Sequence, residues 1–560
     1  MIRTGIGVSL QLILVGLAAG QVKAPFDGPA ASFILKPGST FSASGGSAEG
    51  PASRPSPIAA DILEAQRIIA GQHIDGNQLK SADLTKSAIT GMLDALDPHS
   101  NFYDRAEWTG LMDEQRSGYT GIGATIANFE RGGVIDTFVL STFPGSPAAG
   151  ARLRYGDRIV AVNGERMTGN ASDVVRDKIR GAAGTSFRIT IERASDLRQV
   201  TVEIKRGRVA QPSIPDSYIL RPGIGYVDLS EGFNYTTADE FDAALAGLKR
   251  QGMTSLILDL RGNGGGIVDQ AVKVASRFLP AGTVVVTQRG RMRIDNRTWR
   301  SSNPYPETIP LVVLVNEDTA SASEIVAGAF QDTDRALIVG DKTFGKGLVQ
   351  SVIETPGRTG LTLTTARYLT PSGRSIQRDY ARTDRYDYYH HRSQAAAAGA
   401  FFEARTITDR RVVGGDGVHP DEAVPLPRLT PDEVNLLDPL FFFTRDLLNG
   451  RAPGISIEPT ARASTRRILA GDMTATPTIM AGFADYLTAN GEAFAIQGTG
   501  QTAFIKMRLR YNLVMGLHGV TSAGQVLIED DPQVARAVDA LPRAAQLAAL
   551  ANQARRSKQQ

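Results

Sequence analysis

The sequence predicts a multidomain α/β protein flanked by helical regions, and three observations predict it. Short β-branched runs broken by glycine occupy residues 118–207, the pattern of a small β-rich module. From 208 to 428, continuous apolar runs of strand length at 255–260 and 311–315 alternate with helical stretches such as 237–248. Strands that are apolar on both faces and separated by helices need cover on both sides, which is α/β layering. Helical periodicity returns on either side, at 58–117 and 429–560.

Composition narrows the function classes. The 560 residues are 42% apolar and 21% charged, with a net charge of +3, as in an ordinary globular protein. Lys and Arg exceed Asp and Glu by only 61 to 58, so no nucleic-acid footprint is expected. The absence of cysteine excludes a thiol nucleophile, a thiolate metal site and a disulfide framework. No metal-ligand spacing stands out, and neither metal nor cofactor is expected.

At the N-terminus Arg3 precedes an apolar stretch from Ile6 to Ala19, and Val22-Lys23-Ala24 offers a small-x-small cleavage site. Residues 1–24 therefore read as an export signal, which places the mature protein in the periplasm of a Gram-negative cell. An uncleaved anchor in the inner membrane and a buried N-terminal helix are the alternatives. Residues 25–57 are expected to form a flexible linker, rich in Gly, Ser, Ala and Pro from Pro37 onward. Pro57 suits a first helical position. Ile58, Ile62, Leu63, Ile68 and Ile69 then recur at helical spacing, followed by Leu84, Ile89, Met92, Leu93 and Leu96 up to Asp97-Pro98. The two helices define a small N-terminal domain, 58–117.

In the β-rich module, Gly156-Asp157-Arg158-Ile159-Val160-Ala161-Val162-Asn163-Gly164 is a strand closing in an Asn-Gly turn. A helix at 172–179 and a strand at 187–193 follow. The run resembles a PDZ domain, for which the alternative is a β-sandwich without ligand. The resemblance implies capture of a peptide C-terminus as an added strand, its carboxylate held by loop amides. Tyr119, Thr120, Gly121, Ile122 and Gly123 would be that loop, and Arg180, near the helix end, would pair with a carboxylate.

The α/β block holds the chemistry. Ser321 stands in Thr319-Ala320-Ser321-Ala322-Ser323-Glu324, where Ser321-x-x-Glu324 is also a capping box opening a helix at 322–331. Such a helix rises about 18 Å and a following strand retraces about 20 Å, so an antiparallel return brings Lys346 beside Ser321. Lys346 lies between Gly345 and Gly347, with Phe344 and Leu348 suggesting burial on one side. Desolvation keeps a lysine neutral, as a base must be, though a surface lysine would also fit. Gln350, four residues on, shares the face of Lys346 if the segment is extended. Asn263-Gly264-Gly265-Gly266 follows a buried strand, and the amide of Gly265 or Gly266, with that of Ala322, would form an oxyanion hole. Nucleophile, base and oxyanion donors together describe a serine-lysine peptidase.

Competing motifs are weaker. Residues 340–346 match the first seven positions of a phosphate-binding loop, but Gly347 stands where a magnesium-binding Ser or Thr is needed, and a strand pattern follows instead of a helix. A Ser-His-Asp triad through His99 is possible. The insertion 379–406, rich in Tyr and Ala, fits no motif.

Together, Asp97-Pro98-His99-Ser100, the PDZ run, 259–266, 320–324, 345–350 and Tyr368-Leu369-Thr370-Pro371-Ser372-Gly373-Arg374-Ser375-Ile376-Gln377 resemble the carboxy-terminal processing (tail-specific) proteases of peptidase family S41. The resemblance implies a PDZ β-sandwich joined to an S41-type α/β serine-protease core. It places the nucleophile on Ser321, the base on Lys346, its orienting amide on Gln350, and the oxyanion amides on Ala322 and the Gly265-Gly266 pair. It implies protein or peptide substrates with free C-termini. An adaptor or activator protein, and homo-oligomerisation through the helical regions, are further expectations. The rival class is a catalytically inactive PDZ-bearing scaffold that binds such tails. Beyond the core, Thr430 to Glu433 forms a capping box, and the last thirty residues read as an amphipathic helix.

Overall fold

A computed structural model describes residues 32–34, 57–380, 388–389, 402–457, 467–491 and 498–559. The expected export signal, most of the linker and most of the 379–406 insertion lie outside the described residues.

The apolar runs form a parallel sheet. Ile224–Asp228, Ser255–Asp259, Leu311–Val315 and Leu337–Gly340 lie side by side, with Asp216–Arg221 antiparallel at one edge and Glu422–Ala423 at the other. Alternate side chains serve opposite layers, as the two-residue strand period requires. Leu256, Leu258, Leu311 and Val313 pack with Phe241, Phe278, Val326 and Phe330 of the helices Thr237–Arg250 and Ala322–Asp332 and the Val268–Ser276 turn-off. Ile257, Val312, Leu314 and Val339 face the helix Pro532–Gln559 through Val534, Ala537, Ala540, Leu541 and Ala544. That helix, expected in the region 429–560, therefore supplies one layer against the parallel sheet.

A second sheet runs beside the first. Leu348–Thr355 and Thr359–Leu369 form its central hairpin, continued by Val284–Gly290 and Arg297–Arg300. Ser32–Ile34, expected within a flexible linker, instead pair in parallel with Leu348–Thr355, Ser32 opposite Gln350. An open strand edge presents unpaired amides that any extended segment can satisfy, which is why a sequence poor in apolar pattern still forms a strand there.

The N-terminal helices Pro57–Gln72 and Ser81–Asp94 form as expected, yet Ile62, Leu63, Ile68 and Ile69 remain exposed. A third helix, Arg105–Gln115, carries Trp108 and Leu111 onto Val352 of the second sheet. Gly360 permits this approach: a Cβ there would lie 1.9 Å from the Trp108 ring.

The β-rich module is a six-stranded sheet with the helix Ser172–Ile179, and its turn at Asn163 and Gly164 has φ of 51° and 83°. Tyr119, Thr120 and Gly121 depart from the expected carboxylate loop. They belong to the strand Gly118–Gly121, paired antiparallel with Gly207–Ala210. The module is inserted between two other units, so its entering and leaving chains run together and satisfy each other's amides. On the far side, Phe129 and Phe138 pack on Phe441 and Phe442 of the helix Leu437–Leu448. The Phe129 and Phe441 rings stack with centroids 3.6 Å apart. Arg445 Nε donates to Gly156 O at 2.6 Å, so the helix Leu437–Leu448 is bonded to the module as well as packed on it.

Candidate active site

Ser321 sits at a strained corner. The strand Leu311–Val315 ends in a turn closed by Thr319 Oγ1, which donates to Leu260 O, and by Ala320 N, which donates to Asn263 O. Ser321 then adopts φ 56° and ψ −115°, unusual for a residue with a side chain, before the helix Ala322–Asp332 begins. The return path expected from helix and strand lengths is realised: Leu337–Gly340 leads back and Phe344 N donates to Thr319 O at 3.0 Å.

What holds the corner is the Glu324 carboxylate, which is fully buried. Its Oε2 accepts from Ser321 N and from Lys346 N, each at 2.8 Å. Its Oε1 accepts from Thr343 Oγ1 at 2.5 Å and from Gly345 N at 2.8 Å. Two amides on one oxygen cannot stand farther apart than twice that bond length, so the serine and lysine backbones are neighbours. The sequence showed Glu324 only as a helix cap; that its carboxylate spans two segments was not readable from a three-residue spacing.

The lysine is equally enclosed, at 4% exposure. Burial pushes its ammonium down to about 8, while the Glu324 and Asp97 carboxylates pull the other way. Gln350 is buried on the next strand; its Nε2 donates to Thr364 Oγ1 at 3.1 Å and its Oε1 has no partner among the described residues. Ser321 Oγ is also buried and has no hydrogen-bond partner among the described residues, so serine and lysine are not hydrogen-bonded to each other in this state. Thr364 Oγ1 passes on to Asp97 Oδ1 at 3.0 Å, and Asp97 also accepts from His99 N, Ser100 N and Ser100 Oγ. His99 directs Nε2 to the Tyr388 hydroxyl, 2.8 Å away, and does not form a triad with Ser321.

Gly265 lies directly on Ser321. A Cβ there would stand 2.8 Å from Ser321 Cβ and 2.9 Å from Ala322 N, and its φ is 101°. Its own amide donates to Asn263 Oδ1 at 2.9 Å, which removes it from the pair of candidate oxyanion donors. The amides of Gly266 and Ala322 donate to no acceptor among the described residues. Asn263, which sequence reasoning passed over, also takes Ser323 Oγ at 2.6 Å and donates to Leu229 O. The two serines are thereby separated: Ser323 is bound into the scaffold, and Ser321 is not.

In the β-rich module, Ile122 O accepts from Ala148 N at 2.8 Å, and Gly123 has φ 71° with Ser146 packed where a Cβ would be. Arg180 is exposed at the end of its helix, near the Tyr119 phenol. Burial pushes that phenol up to about 12 against the pull of Arg180.

Comparison with known proteins matches residues 223–385 to peptidase family S41 and residues 139–193 to a PDZ domain. A carboxy-terminal-processing protease of Bartonella bacilliformis is 36% identical over 299 residues, 52% of this chain and 67% of that protein. Carboxy-terminal processing protease CtpB of Bacillus subtilis is 30% identical over 320 residues, 57% of this chain and 65% of that protein. A probable CtpA-like serine protease of Staphylococcus aureus is 34% identical over 298 residues, 53% of this chain and 58% of that protein. Among solved structures, a photosystem II D1 C-terminal processing protease is 29% identical, covering 65% of this chain and 93% of its own, with a TM-score of 0.35.

Proposed function

The chain belongs to peptidase family S41, and on that premise we propose that it is an exported serine endopeptidase that cuts proteins near their C-termini, with Ser321 as nucleophile and Lys346 as general base. The observation that carries the reading is the Glu324 carboxylate, which holds the serine and lysine backbones on one oxygen. Neutral Lys346 takes the Ser321 proton as Oγ attacks the peptide carbonyl. The oxyanion forms against the Ala322 and Gly266 amides. Lysine returns the proton to the leaving amine, and water, activated by the same base, releases the acyl-enzyme. Gln350 Oε1, buried and without a donor, is suited to orient the ammonium once it forms.

The substrate tail docks in the PDZ groove beside Ile122 and Gly123, with Arg180 near its carboxylate. Export to the periplasm rests on the pattern of residues 1–24. The burial and the unbonded state of Ser321 Oγ favour a resting form that tail binding opens.

The test is incubation of the mature protein with an unstructured protein ending in a free apolar carboxylate, products being read by mass spectrometry. Cleavage should vanish in Ser321→Ala and persist in Ser323→Ala. Tail binding without cleavage by any form would replace this reading with the scaffold.

A further inference from the structure

The tyrosine-rich insertion has no part in the mechanism so far, yet it returns to the active site. Tyr388 is 2% exposed and shares an apolar cluster with Phe344 and Ala320, the neighbours of Lys346 and Ser321. Its ring meets Phe344 edge-on, centroids 5.7 Å apart. The Arg378 guanidinium lies between the two rings, 3.8 Å from Phe344 and 4.2 Å from Tyr388, and donates to Tyr388 O.

Both flanks of Lys346 are fixed by residues that Tyr388 holds. Arg378 N donates to Gly345 O at 3.0 Å, and Gly347 N donates to Gln377 Oε1 at 2.8 Å. Gln377 Nε2 in turn donates to the Tyr388 hydroxyl at 3.3 Å. The same hydroxyl faces His99 Nε2, and Tyr389 OH donates to Pro98 O. That second loop leads through Asp97 and Thr364 to Gln350.

We propose that Tyr388 is a positioning residue for the reaction, clasping the Phe344–Gly347 loop to the Asp97–Ser100 loop and sealing Lys346 between them. The proposal rests on the reading of Lys346 as base. The charged groups that act on that lysine are Glu324 from the helix Ala322–Asp332 and Asp97 from the 97–100 loop, while His99 and Arg378 lie against the Tyr388 ring. Of these, the two carboxylates raise its proton affinity, so exclusion of water is what keeps it low. Opening the aromatic cover should therefore let the ammonium back.

The experiment is titration of Lys346 by NMR in protein labelled at the lysine ε-carbon, with Lys346→Met to assign the signal, beside pH–rate profiles for peptide cleavage. In Tyr388→Ala the Lys346 midpoint should rise by about one unit, and the rate at neutral pH should fall about tenfold with the profile displaced to alkaline pH. Tyr388→Leu, which keeps apolar bulk, stands in if the alanine variant does not fold. A folded variant whose Lys346 midpoint stays at the wild-type value overturns the clasp, as does one that cleaves faster, since Tyr388 would then be an obstruction. The NMR readout needs no turnover, so an inactive wild type would refute the proposed function and leave the clasp still decided by the titration.

Discussion

Replacing Glu324 by glutamine tests whether one carboxylate assembles the site. It accepts four hydrogen bonds, from Ser321 N, Lys346 N, Gly345 N and Thr343 Oγ1, and is wholly buried. Glutamine keeps one acceptor oxygen and puts an NH2 group where the other stood, so two donors lose their partner and face a donor. Hydrogen bonds to charged groups contribute about 1.5–3 kcal/mol each, giving a gross loss of about 3–6 kcal/mol. If half falls on the barrier and half on stability, kcat/KM drops at least about tenfold, and the melting temperature falls by several degrees. The assay pairs peptide-cleavage kinetics with urea denaturation, so that the two shares are read separately. Because the Glu324 carboxylate also favours the Lys346 ammonium, the acid limb of any residual activity should move below about 8. A variant within about threefold of wild type in kcat/KM, with unchanged stability, would refute the argument that this carboxylate joins the two segments.

Cleavage by the wild type should rise with pH to a limb near 8, where Lys346 loses its proton. The folded lysine titrates below its unfolded value of 10.5, so the folded state is penalised at every pH below about 8 and the penalty disappears above 10.5. Lys346→Met should thus abolish cleavage and melt higher than wild type at pH 6.5; a lower melting temperature would argue against a desolvated ammonium. Burial and the neighbouring Asp259 raise Asp228 to about 7, so this carboxyl favours the folded state progressively less as pH rises from about 4 to 7. Asp228→Asn should gain stability over wild type at pH 8 and not at pH 4, as read by thermal melts. Phe441→Ala should cost about 3–5 kcal/mol and free the PDZ module, seen as faster amide exchange in Ala124–Arg131 and Val134–Thr142.

Much of this architecture was legible because its signals are local. The runs at 255–260 and 311–315 are apolar on both faces, and Asn163-Gly164 needs two positive φ values, so strands and turn could be read in place. The helix-out, strand-back spacing from Ser321 to Lys346 was legible for the same reason. What escaped reading depends on contacts between distant segments. Asn263 looks like any residue of a glycine-rich turn until Ser323, 60 residues on, is seen to bond it. Tyr119 to Gly121 looked like a loop because their strand partner lies at Gly207–Ala210. The C-terminal helix looked like a separate region because small residues such as Ala537, Ala540 and Ala544 show helicity but not which sheet they will cover.

The position of that helix also sets an order of events during synthesis. Until Pro532–Gln559 has been made, Ile257, Val312 and Leu314 have no layer over them, and the α/β sheet stands open on one face. Arg261, just before the glycines that lie on Ser321, closes an ion pair with Asp531 across 270 residues. Contacts so far apart in the chain form late, after the loop between them has been closed. A nascent chain that already carries Ser321 and Lys346 is therefore expected to remain an open intermediate, its α/β sheet bare on one face, until Pro532–Gln559 docks.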